Sequence, residues 1–111
     1  MLTKDERILL DNCIDALNRL FDGDSSVIDL YYVMFATAFA FMSNPMGMSF
    51  EPAVRELREI AASNAPPREK RDLALLKTDY LRQQIAAVLR CDAAENPKQR
   101  HHPKLPPYLE D

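Results

Sequence analysis

Hydrophobic side chains recur three to four residues apart over most of this chain, but between Val27 and Met42 they stop recurring and become continuous. In the first segment Leu10, Cys13, Ile14, Leu17, Leu20 and Phe21 fall on one side of a helix, and Asp11, Asn12, Asp15, Asn18, Arg19 and Asp22 on the other. Thr3 and Glu6 have the spacing of a capping box ahead of it, and Gly23 can take the left-handed backbone that closes it. The run from Val27 to Met42 carries one charge, Asp29, in a protein that is 28% charged. Ser25 and Ser26 precede it as caps, with Asp29 as an early acid. The stretch from Phe35 to Phe41 also alternates with period two. Its alanines and the lack of any partner strand decide for helix.

The pattern then predicts two more helices. Asn44-Pro45-Met46-Gly47 breaks the chain, and Ser49 caps a third helix with Phe50, Val54, Leu57, Ile60 and Ala61 as its inner stripe. Pro52 falls in the first turn, where a missing amide costs little. After Ser63-Asn64-Ala65-Pro66-Pro67, a fourth helix over about 68–91 directs Leu73, Leu76, Tyr80, Leu81, Ile85, Val88 and Leu89 inward. The expectation is an all-α protein, a four-helix bundle or an irregular four-helix variant, with one domain over 1–91 and an extended proline-rich tail over 92–111. A helix apolar on every side must be surrounded, so the second helix is expected at the centre, wrapped by the stripes of the other three or by a second subunit. If one side stays uncovered, Tyr31 and Phe35 or their neighbours become a subunit contact.

Composition narrows the function classes. An apolar content of 47% in 111 residues supports one core, and a net charge of -3 argues against direct binding to nucleic acid, which calls for a basic excess. The apolar run is shorter than the roughly 20 residues a membrane span needs. An acidic, polar start without an export pattern and two unpaired cysteines, Cys13 and Cys91, fit a reducing cytoplasm.

Candidate chemistry is sparse. Asp22-Gly23-Asp24-Ser25-Ser26 opens like a calcium loop, but Val27 stands where the loop needs glycine and Val33 where it needs its bidentate glutamate, which leaves a capped helix-helix turn. Cys91, His101 and His102 lack the paired spacing of a structural zinc site. Cys13 lies on an apolar stripe, where burial keeps a thiol neutral. Nothing resembles a nucleophile elbow or a phosphate loop, so the protein is expected not to be an enzyme and to need no cofactor and no metal. In the tail, Arg100-x-x-Pro103-x-x-Pro106 and Leu105-Pro106-Pro107-Tyr108 match short ligands of Src-homology-3 and WW domains, and Leu105, Tyr108 and Leu109 equally suit a tail that folds back on the bundle.

Charge is distributed unevenly. The first half holds Asp5, Glu6, Asp11, Asp15, Asp22, Asp24 and Asp29 against Lys4, Arg7 and Arg19. Asp11, Asp15 and Asp22 share one side of the first helix and Asp24 follows, a set suited to a basic protein partner as well as to plain solvation. The segments Leu17-Asn18-Arg19-Leu20-Phe21-Asp22-Gly23-Asp24-Ser25-Ser26 and Thr78-Asp79-Tyr80-Leu81-Arg82-Gln83-Gln84-Ile85-Ala86-Ala87-Val88-Leu89 resemble the small helical immunity proteins of the colicin D type. That resemblance implies a cytoplasmic protein-binding module that neutralises a basic ribonuclease toxin by occluding its active site with Asp11, Asp15, Asp22 and Asp24. The alternative is a structural or adaptor subunit that pairs with itself, as a homodimer, or with another chain through an apolar helix face.

Overall fold

The computed structural model describes residues 2–41 and 48–95, and every regular element among them is a helix: α1 Lys4–Phe21, α2 Val27–Ala40, α3 Phe50–Ala62 and α4 Pro67–Glu95. The expected turn at residues 44–47 and the tail motifs from Asn96 onward, His101 and His102 included, lie outside the described residues.

Local chemistry sets the helix ends. At α1 the Thr3 amide donates to Glu6 Oε1 at 2.8 Å and the Glu6 amide to Thr3 Oγ1 at 3.1 Å, the reciprocal capping box. The other end closes on Gly23, whose φ of 80° is open to glycine without strain. There the Asp24 amide reaches Arg19 O at 2.8 Å and the Gly23 amide reaches Leu20 O at 3.1 Å, a Schellman closure. Three residues later Ser26 caps α2 in a second capping box with Asp29. These two motifs back to back fix where α1 stops and with what rotation α2 begins.

The helices form a ring in which α1 packs on α2 and α4, α3 packs on α2 and α4, and the backbones of α1 and α3 stay apart across the centre. Leu10, Cys13, Leu17 and Leu20 of α1 meet Leu30 and Met34 of α2, Leu57 and Ile60 of α3, and Leu81 and Ile85 of α4 in one buried cluster. Phe41 and Phe50 stack at 6.0 Å across the α2–α3 gap. Burying the larger of these side chains contributes roughly 1.5–3 kcal/mol each before ordering entropy is subtracted.

Three expectations change. First, α4 buries Leu81 and Ile85 and packs Val88 and Leu89 on the core as expected, but its first half turns a different side inward: Leu73, Leu76 and Tyr80 are exposed, while Ala74 and Thr78 are buried. Small residues let the helices approach closely, and Thr78 satisfies its own hydroxyl by donating to Ala74 O at 2.7 Å. Second, α4 continues past 91 to Glu95, because Asp92 is buried and accepts the Leu2 amide at 3.1 Å, tying the two ends of the described chain together. Third, Ser49 stands at the N-cap of α3 but makes no side-chain cap. Gln84 of α4 takes it instead, accepting the Ser49 amide at 2.8 Å and donating to its hydroxyl at 3.3 Å, while the Tyr80 hydroxyl donates to Ser49 O at 3.2 Å.

Candidate functional site

The acidic set sits where its spacing put it. Asp11, Asp15 and Asp22 are exposed on the side of α1 turned away from the Leu10–Leu20 stripe, and Asp24 is exposed in the turn beyond Gly23. The same turn answers the calcium-loop pattern: its backbone closes α1, and Asp29 is engaged with Ser26, whose amide and hydroxyl hold the carboxyl below the usual carboxylate range with help from nearby Arg19.

A second surface lies on α2. Its inner stripe, Val27, Leu30, Met34, Thr37 and Phe41, is buried, but the helix is not enclosed. On the outer side Ile28 is 41% exposed, Tyr32 63%, Phe35 51% and Phe39 68%, one above another at helical spacing. The expectation of a helix wrapped on all sides is therefore corrected. In a ring α4 stands across from α2 and barely reaches it, so only α1 and α3 contribute cover. Phe35 is among the residues anticipated for an uncovered side; Tyr31 is half-buried.

This stripe has two unlike banks. Toward α3 it borders a groove of about 560 Å³ lined by Tyr31, Phe35 and Phe39 on one side and Val54, Arg55 and Arg58 on the other. Both arginines are exposed, and neither forms an ion pair among the described residues. Toward α1 a smaller hollow of about 330 Å³ brings Tyr32, Val33 and Asp29 against Ala16 and Arg19. Asp11, Asp15 and Asp22 lie farther round α1.

Comparison with family models, curated proteins and solved structures gave no match. Function must be read from these surfaces alone.

Other chemistry-bearing groups serve the fold. Cys13 Sγ donates to Thr37 Oγ1 at 3.2 Å, and the Thr37 hydroxyl donates on to Val33 O at 2.8 Å. Burial pushes the Cys13 thiol up to about 11, so it stays protonated at neutral pH. Cys91 is exposed. At the opposite end from the Phe41–Phe50 stack, Lys70 Nζ donates to Ala61 O at 2.9 Å and so satisfies a terminal carbonyl of α3. Among the described residues no three metal-ligating side chains cluster, and no helix is long and apolar enough to cross a membrane.

The acidic residues were legible in the sequence because charge and period coincide there. The outer stripe of α2 was not, since a helix with no polar side has no phase from which to read which part is covered. Arg55 and Arg58 were missed because each resembles an ordinary solvated arginine until Phe35 and Phe39 are placed across the groove.

Proposed function

We propose that the protein is a small non-catalytic binding module, a structural or adaptor subunit that works in the cytoplasm by pairing the outer face of α2 with another protein surface. The observation that carries this reading is the unbroken exposed stripe of Ile28, Tyr32, Phe35 and Phe39. Surface aromatics scattered singly need no explanation, whereas large apolar side chains stacked along one helix and bordered by a groove are the anatomy of a contact. Aromatic and arginine side chains, both present here, are enriched at such contacts.

A bait experiment tests it. The variant Tyr32→Ser with Phe39→Ser should keep the far-ultraviolet helix signal and lose a stoichiometric protein species that the parent retains, whether another chain or a differently tagged copy. Retention of the same species by both baits, or of none by either, contradicts the reading.

A second reading is favoured by a separate observation, the exposure of Asp11, Asp15 and Asp22 on one side of α1 with Asp24 in the hydrogen-bonded turn behind them. Here the protein acts as an immunity protein of the colicin D kind, its acidic face occluding the active site of a basic ribonuclease toxin. Asp15→Lys with Asp22→Lys should then weaken capture of the toxin and leave the α2 substitutions without effect on it.

A further inference from the structure

We propose that the cleft between the α1–α2 turn and the start of α4 binds a small organic phosphate, an apolar body carrying a phosphate monoester. It lies at the end of the bundle opposite the Phe41–Phe50 stack, and it stands independently of any contact made by the outer face of α2.

The cleft measures about 400 Å³, within the range of roughly 300–1,000 Å³ that small-molecule sites occupy. Its apolar wall is Leu20, Val27, Ile28, Ala61 and Pro67, and the turn adds Gly23, Ser25 and Ser26. Three cations complete it, Arg68, Lys70 and Arg71. No carboxylate lines it; Asp22, Asp24 and Glu69, its neighbours in sequence, are exposed outside the wall.

These cations stand against the local field. Pro67 opens α4, and the positive end of a helix dipole favours acids and disfavours bases, yet three of the first five residues are basic and Glu69 alone is acidic. The fold uses one of the three, since Lys70 holds Ala61 O at 2.9 Å. Arg71 has only its sequence neighbour Asp72 at 3.3 Å, and Arg68 forms no ion pair among the described residues. A local rule broken without structural return marks a functional position. The turn supplies a second, independent sign. Ser25 lines the cleft, and its hydroxyl oxygen is buried without a hydrogen-bond partner, a state that buried polar atoms rarely keep.

An oxyanion answers both. Guanidinium forks match phosphate oxygens, and an oxyanion gives the Ser25 hydroxyl an acceptor. A phosphate monoester carries about -1.5 to -2 at pH 7, enough to offset Arg68 and Arg71 together, whereas a carboxylate offsets one. The apolar wall then takes the body of the ligand.

Phenyl phosphate and inorganic phosphate, titrated at constant ionic strength into the isotope-labelled whole chain and followed by nuclear magnetic resonance, test this. Phenyl phosphate should give saturable shifts at the amides of Ser25 to Ile28 and Arg68 to Arg71, and should bind more tightly than inorganic phosphate. Arg68→Gln with Arg71→Gln should weaken it about tenfold, and Ser25→Ala about threefold. Arg55→Gln with Arg58→Gln makes the same change of net charge on another face and should leave binding unaltered. If the Arg68 and Arg71 double variant fails the circular dichroism check, the shift map of the parent and Ser25→Ala still decide. Shifts that are absent, or centred on Tyr32, Phe35 and Phe39, overturn the proposal. Equal weakening by both arginine pairs overturns it as general charge attraction, and equal affinity for the two phosphates overturns it as an adventitious ion only.

Discussion

The two sides of α2 are almost equally apolar and have opposite fates. Val27, Leu30, Met34, Thr37 and Phe41 are sealed against α1 and α3, whereas Ile28, Tyr32, Phe35 and Phe39 face outward. Hydrophobicity alone cannot separate them. What separates them is the rotation set at the start of the helix by the Ser26–Asp29 box and the ring order that places α4 too far away to cover the outer side. Burial is decided by geometry after composition has permitted it, and the surplus apolar surface is left for a partner.

The contrast can be broken most severely from inside. Met34→Ala leaves a cavity at a fully buried position and should cost about 2–5 kcal/mol, read as a lower urea midpoint with an unchanged slope. A smaller, pH-gated effect belongs to the same side. The Cys13 thiol, ordinarily ionising near 9.0, is held protonated to about 11 in the fold. The unfolded chain therefore loses this proton first. The stabilising contribution is complete below pH 9.0 and is lost as pH rises toward about 11. The expected loss is on the order of 2 kcal/mol at one protein concentration, and Cys13→Ala should remove that pH dependence while adding its own constant cost.

Ser26→Ala sharpens the contrast differently. It removes the hydroxyl that accepts the Asp29 amide and should cost about 1 kcal/mol in thermal unfolding while leaving both faces chemically intact. Least of all should follow from Phe39→Ser below the association range. Helix propensities of the two residues are close, and an exposed substitution stays within about 0.5 kcal/mol of the parent, measured by urea unfolding.

Much of the scaffold was legible because its signals are local. Thr3 with Glu6, Gly23, and Ser26 with Asp29 each act within a few residues, and α1 carries a clear two-sided pattern. The failures are all at long range. Asp92 looked like the start of a tail, yet its partner is an amide 90 residues away. Ser49 was placed correctly but is held by Gln84, 35 residues on. On α4 the large residues Leu73 and Leu76 outweighed Ala74 and Thr78 in any count of hydrophobicity, although close helix approach prefers the small ones. The acidic half of the candidate surface was visible for the local reason, its residues sharing one helix. The α2 half required knowing the position of α3.

The most direct measurement is urea unfolding of the parent and of Tyr32→Ser with Phe39→Ser, each at two widely separated protein concentrations. If the outer face of α2 is a contact and the inner face a core, the parent and variant midpoints coincide when dilute, and any rise with concentration is confined to the parent. A parent midpoint independent of concentration, together with a variant destabilised at every concentration, would show that Tyr32 and Phe39 serve the fold of the single chain and would contradict the account.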